Sequence, residues 1–395
     1  MEKTDKYWLA LEAYVYVEKK ADRILLYNTL DGNCLVSDDP DVTALVGAIY
    51  TPGHTGVVEV SSRMLQKKEI REFVTKMREL FIGDLYEQSL FREKPVQPYP
   101  LLKFNRDVRK LKKIEGRSIG ENILSTLCKV DIYLDKPGCK EIFPPRLLEG
   151  LLRQIEFCQL DSLRLHLFDG ERYAHWETVE RLLAHSRHLP QYVFQLTSFH
   201  PEVLKKIGAG REIVFDVSCE LYAENRLRER LQELPEPVRQ AALYLFPVAS
   251  ESDLDCLLSV VEEFGLDAYK MNPVYTGDNL PFLEEAVFMD EEDLASEPVS
   301  LKEIYTHQTL NAHDFGRLVF YPDGNVYANE QTPKIGNLHT ESLFTLVYKE
   351  LDEGKNWFRV REEAPCSECL YQWICPSPSD LERTIGKPDL CRAKL

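Results

Sequence analysis

Apolar positions along the first ninety residues fall into short strand-like runs and then into helical spacing. Tyr14–Val17, Ile24–Tyr27 and Cys34–Val36 read as three strands, with Asp31-Gly32 as a hairpin turn between the second and third. Asp38-Asp39-Pro40 then caps a helix carrying Val42, Leu45, Val46 and Ile49 on one face. A second helix, over 68–80, presents Ile70, Phe73, Val74, Met77 and Leu80 at helical spacing and ends at Gly83-Asp84. Three strands followed by helices predict an α+β, winged-helix-like domain over residues 1–92. From about residue 118 the rhythm changes to alternating strands and helices. Strands are expected at Val130–Leu134, Leu163–Phe168, Tyr192–Leu196, Ile213–Val217, Leu243–Pro247 and Tyr269–Pro273. Between them lie amphipathic helices, one carrying Leu147, Leu148, Leu151, Leu152 and Ile155 and another Leu254, Leu257, Leu258, Val261 and Phe264. Six βα repeats predict a parallel sheet of α/β class, curled into a partial barrel or, alternatively, opened as a doubly wound sheet.

A linker at 93–117 separates these two regions. Between Lys103 and Arg117 it holds seven basic and two acidic residues, either a solvated connector or a docking patch for an acidic partner. After 118–290, a fourth segment, 291–395, has a hairpin signal at Asp323-Gly324, a helical stretch near 341–353 and a cysteine cluster at its end. A chain of 395 residues accommodates such a multi-domain layout. Its formal net charge of −17 argues against general binding of nucleic acid. No apolar run is long enough to span a bilayer, and the first twenty residues lack the apolar core of a signal peptide. The expected location is the cytoplasm, where ten cysteines are not read as a disulfide framework.

Four of those cysteines occupy the last thirty residues as Cys366-x2-Cys369-x5-Cys375, with fifteen residues between the last of these and Cys391. Two thiolates three apart converge across a tight turn, and two more from the following loop complete a four-ligand set for a 4Fe-4S cluster or zinc. Zinc ribbons usually carry two such close pairs. This chain has one, so the spacing leans toward iron–sulfur. Cys34, Cys128, Cys139, Cys158, Cys219 and Cys256 are isolated and read as small core residues. Gly116-Arg117-Ser118-Ile119-Gly120 has the letters of a nucleophile elbow without the apolar strand that must precede it, and reads as a turn. His175, His185 and His188 read as a solvated helix face.

With the βα repeats and the cysteine set together, the chain resembles the radical SAM/SPASM peptide maturases over nearly everything after residue 125. In that family a C-x3-C-x2-C motif after the first barrel strand holds the cluster that cleaves S-adenosylmethionine. Here the corresponding stretch has Cys139 followed by Phe143 and Arg146, so two of three ligands are absent. The family's Gly-Gly-Glu-Pro stretch is matched by Asp169-Gly170-Glu171-Arg172, and Asn272–Asn279 reads like family sequence near the barrel's end. In the SPASM part, Gly324 matches, but Asn329 and Ser379 stand where ligands of the first auxiliary cluster belong. The retained Cys366, Cys369, Cys375 and Cys391 match the second auxiliary cluster. One site is lost whole and the other kept whole.

The first domain resembles the RiPP recognition element, which binds a leader peptide as an added strand. That resemblance makes Cys34, Leu35 and Val36 the receiving edge, with Phe73 and Met77 on the adjacent helix. Together these resemblances imply a pseudo-radical-SAM protein. It would be a non-catalytic accessory factor that binds a ribosomally made precursor peptide and assists an active radical SAM maturase. It would carry one 4Fe-4S cluster and no S-adenosylmethionine. Two alternatives stay open: an enzyme of reassigned chemistry with a small molecule in the barrel, and a zinc scaffold with no peptide role.

Overall fold

The computed structural model describes residues 6–96 and 123–392, apart from 55, 171, 172, 209, 224, 225 and 354. The basic stretch Lys103–Arg117 and the Gly116–Gly120 turn, and Glu171 and Arg172 of the Gly-Gly-Glu-Pro match, lie outside the described residues. The N-terminal region contains twice the expected number of strands. β1 (Lys6–Leu11), β2 (Val15–Lys20), β3 (Arg23–Asn28) and β4 (Cys34–Ser37) precede α1 (Pro40–Ile49). Then follow β5 (Val57–Ser61), α2 (Lys68–Glu79) and β6 (Gly83–Glu87). They form two three-stranded sheets, β5-β1-β6 and β2-β3-β4, both antiparallel. Asp39 caps α1 as its pattern requires, its carboxylate accepting from the Asp41 and Val42 amides. The apolar faces of α1 and α2 meet Leu9, Val15, Leu26 and Val60 in one small core.

All six strands expected of the middle segment are present: β7 (Lys129–Tyr133), β8 (Ser162–Leu167), β9 (Gln191–Gln195), β10 (Glu212–Asp216), β11 (Leu243–Val248) and β12 (Tyr269–Pro273). They are parallel and stand side by side in chain order, without the reversal that a doubly wound sheet contains. α3 (Pro145–Ile155), α4 (Trp176–Leu183) and α5 (Glu251–Phe264) supply the main crossovers. Ser250 caps α5, and Gly265, at φ 59°, closes it in the left-handed conformation.

The sheet does not stop at residue 290. β13 (Arg317–Phe320) pairs in parallel with β7, and β14 (Asn325–Tyr327) and β15 (Gly336–Asn337) extend it antiparallel to nine strands. The hairpin expected at Asp323-Gly324 is thus the outer part of the central sheet. Gly324 has φ 78°, and a Cβ there would lie 2.5 Å from the His339 ring, so the turn admits only glycine without rearrangement. The chain is completed by α6 (Leu301–Thr309), α7 (Leu343–Glu353) and α8 (Asp380–Ile385).

Strand alternation gives the sheet two unlike faces. Val130, Ile132, Leu163, Leu165, Tyr192, Phe194, Phe215, Tyr244 and Phe246 pack into the main core with Leu148, Leu151, Val179 and Leu257 of the helices. The intervening positions carry a row of polar residues, Asp131, Arg164, His166, Gln191, Gln195, Asp216 and Arg317, interrupted by the buried Val193, Val214 and Val319.

Candidate metal centre

The four C-terminal cysteines are brought to one place by two pieces of backbone. A 3-10 turn, Cys366–Glu368, closes with the Cys369 amide donating to the Cys366 carbonyl at 3.1 Å. The next turn brings Cys375 round through its amide, 2.9 Å from the Tyr371 carbonyl. Ser379 then caps α8 in a reciprocal box with Glu382, and Gly386 ends the helix at φ 77°, sending the chain back. Cys391 is held there by a parallel bridge to Met289, with Met289 N to Leu390 O at 3.1 Å and Arg392 N to Met289 O at 2.8 Å.

Cys366, Cys369, Cys375 and Cys391 line a single cavity of about 50 Å³, together with Met289, Arg361, Pro365, Gln372, Asp389 and Leu390. None of the ten cysteines is in a disulfide. Among the described residues, no three His, Cys, Asp or Glu side chains are grouped tightly enough to hold a single metal ion. The four thiols border a shared space without meeting at a point.

The cavity's electrostatics come from Arg361, which nothing in the sequence pattern singles out. Its guanidinium is buried and pairs with Glu382 at 2.7 Å, donates to the Pro376 carbonyl at 2.6 Å, and lies 3.9 Å from the Cys366 sulfur. Burial pushes the Cys366, Cys369 and Cys375 thiols up, Cys375 to about 12. Arg361 pulls Cys366 and Cys375 the other way, as the Tyr371 amide does Cys369, donating to its sulfur at 3.3 Å. A cationic core entering the cavity would offset the burial that opposes the charged forms of Cys366, Cys369 and Cys375. A soft, four-thiolate, largely desolvated donor set with N–H donors to sulfur fits a 4Fe-4S cluster, and fits zinc by ligand type.

The positions where the resemblance lacks ligands are filled otherwise. Phe143 is fully buried in the main core, while Arg146 lies exposed on the first turn of α3. Asn329 is fully buried and donates to Asp314 at 2.9 Å and to Asp380 at 2.6 Å, and Ser379 serves as the α8 cap. Asn329, Asp314 and Asp380 thus form a hydrogen-bonded knot that contains no sulfur. Of the six isolated cysteines, Cys158 is buried as expected, but Cys219 is exposed and the other four are half-buried. The helix-face reading fits His185, whose ring bonds back to the Arg181 carbonyl at 3.0 Å.

In the N-terminal region, among the described residues, β4 pairs with β3 alone and forms one edge of its sheet. Val36 is exposed, Leu35 is buried, and Cys34 packs toward Tyr371 of the cysteine loop. Phe73 and Met77 are buried inside the module's own core, so the structure does not bring them to the surface beside that edge.

The polar face of the sheet holds a second constellation. Asp131, 3% exposed, accepts from the Arg317 guanidinium at 2.8 Å and faces His166 Nε2 at 2.8 Å. Burial opposes the Asp131 charge, but the His166 hydrogen bond and the Arg317 charge outweigh it and hold the carboxyl well below its usual range. Arg317 also reaches Glu330 at 3.6 Å. Tyr133 stacks on the His166 ring at 4.3 Å, and Lys136 Nζ lies 3.6 Å from the Tyr321 ring centre.

No family model matches the chain, and no curated protein does. Among solved structures it is similar to SuiB of Streptococcus suis. The form bound to S-adenosylmethionine aligns over 97% of this chain and 98% of that one, at 15% identity and a TM-score of 0.48. The form bound to the precursor peptide SuiA aligns over 97% and 100%, at 13% identity and a TM-score of 0.45. No helix among the described residues is long and apolar enough to cross a membrane.

Proposed function

We propose that the chain is a non-catalytic accessory protein of a peptide-maturation system, a degenerate radical SAM/SPASM protein that carries one 4Fe-4S cluster on Cys366, Cys369, Cys375 and Cys391. The observation that supports this most is the convergence of those four cysteines, from two separate stretches of backbone, on one cavity with a buried arginine beside it. When bound, the cluster supplies a rigid cross-link or a one-electron relay. The chain's own part is to hold four thiolates in place, exclude water and set their charge environment with Arg361. Phe143 in the core and Arg146 on the helix surface speak against radical chemistry of the family's kind, because neither position offers a sulfur.

The peptide role rests on the open edge of β4, where backbone groups of a precursor can add as a strand beside Val36. A partner maturase would then receive the peptide. The full-length protein and a synthetic precursor from its own genomic neighbourhood test this by fluorescence anisotropy. Saturable binding supports the reading, and no binding at any concentration up to the peptide's solubility removes it.

A second reading is favoured by the Asp131–His166–Arg317–Glu330 constellation, whose His, Arg and Glu side chains remain partly accessible. Such a face suits a small polar molecule, which would make the protein an enzyme of reassigned chemistry or a sensor. Equilibrium dialysis with S-adenosylmethionine separates the two, since the accessory reading expects no binding.

A further inference from the structure

The strand β2 ends in Glu18-Lys19-Lys20, and its sheet lays Tyr16, Leu25 and Tyr27 against Ile304, Val360, Leu370, Trp373 and Ile374 in a shared core. This joint packing brings an N-terminal lysine to the cysteine loop. Lys20 Nζ donates to the Ser367 carbonyl at 3.0 Å and to Gln372 Oε1 at 2.5 Å. Ser367 lies between the first two cysteines, and Gln372 lines their cavity. On its far side Gln372 donates to the Arg361 carbonyl, so Lys20, Gln372 and Arg361 form one hydrogen-bonded arc round the site.

The lysine is largely shielded from water, its side chain 16% exposed, and negative charge nearby stabilises an ammonium so placed. Glu18 answers part of this at 3.5 Å, but that carboxylate also accepts from the Tyr16 hydroxyl. The remaining negative charge faces Lys20 from the cavity once four thiolates and their core are present. Opposite charges in such a poorly solvated place interact over several ångströms with little screening.

We propose that Lys20, delivered by the N-terminal module, belongs to the electrostatic shell of the cluster, so that docking of this module and loading of the cluster stabilise each other. The inference rests on the cluster reading above. Linkage of this kind is reciprocal: whatever loosens the β2 sheet weakens cluster retention, and loss of the cluster loosens the sheet. It gives a protein with a peptide-binding edge on that sheet a route by which peptide occupancy is felt at the metal site.

The test uses the full-length protein, purified without oxygen, as wild type, Lys20→Met and Lys20→Arg. An EPR-monitored reductive titration reads the midpoint. Removing the cation disfavours the more negative, reduced cluster, so Lys20→Met shifts the reduction equilibrium at least about tenfold, ~59 mV lower for one electron, and Lys20→Arg restores most of it. Hydrogen exchange at β2 and β3 amides slows on cluster loading of the wild type, a readout that needs no substitution. If Lys20→Met does not fold, Lys20→Gln, which removes the charge and keeps a hydrogen-bond donor toward Ser367 and Gln372, takes its place. A midpoint that moves less than about twofold in that equilibrium, or β2 exchange indifferent to loading, overturns the inference. A wild type without iron and sulfide overturns the cluster reading itself, a separate result.

Discussion

Removing the Arg361 guanidinium tests whether the cysteine cavity is a built site or a chance meeting of four side chains. In Arg361→Met the alkyl stem is retained, and four things are lost: the 2.7 Å pair to Glu382, the 2.6 Å bond to the Pro376 carbonyl, the 3.4 Å bond to the Pro388 carbonyl, and the charge 3.9 Å from Cys366. Glu382 is 3% exposed, so its carboxylate stays behind with only the Ser379 amide and little water. Breaking a buried ion pair by deleting one partner costs about 3–5 kcal/mol. The Ser379 bond places this case toward the lower end, and the orphaned Pro376 carbonyl adds about 1 kcal/mol or more. The expected loss is therefore about 3–5 kcal/mol in metal-free protein, read by urea denaturation through tryptophan fluorescence. Arg361→Met/Glu382→Gln should recover most of it, because the amide still accepts from Ser379 and leaves no buried charge. A single-variant loss below about 1 kcal/mol, or a double variant no better than the single, refutes the reasoning.

Asp131→Asn removes the anion between His166 and Arg317 and should cost about 3 kcal/mol at neutral pH. The folded pKa of Asp131 lies below its unfolded value, so this stabilisation is complete above the usual carboxylate range and fades as pH falls through the folded value. Wild type and variant should converge in urea midpoint at acid pH, and a gap that stays constant with pH contradicts the assignment. Placing cysteines at both positions, in Phe143→Cys/Arg146→Cys, should add no iron, because one position is inside the core and the other faces solvent. Colorimetric iron analysis that finds a second cluster per chain would show the loop to be competent after all. Phe143→Cys should also cost about 2–4 kcal/mol by leaving a cavity in the core, visible as an earlier unfolding transition.

The parallel strands are legible in the sequence because each is a short apolar run bounded by a helix of unmistakable spacing. Tyr192-Val193-Phe194 and Leu243–Phe246 have few other ways to be buried. What escapes is pairing at a distance. Arg317–Phe320 reads as half of a hairpin, and nothing local says that its other edge joins β7 about 190 residues earlier. In the N-terminal module, β1, β5 and β6 are hard to see because Gly83-Asp84, for one, reads equally as the end of a helix and the start of an edge strand. The four-cysteine site is visible in spacing, since thiol ligands come from adjacent turns. Lys20 and Arg361 are not, because a charge's importance to a cavity depends on the fold that carries it there.

Phe73 and Met77 show how one spacing admits two readings. Their helical spacing reads as a peptide-facing stripe by analogy of topology, while the same spacing is what a helix uses to face its own core. The open β4 edge carries the peptide proposal without them.

The central claim is tested most directly by metal and sulfide analysis, with Mössbauer spectroscopy, on protein purified without oxygen. The account predicts about four irons and four sulfides per chain in the spectrum of a single 4Fe-4S cluster, lost in Cys375→Ala and retained in Cys219→Ala. About one zinc per chain with no sulfide, or no metal at all, would contradict it.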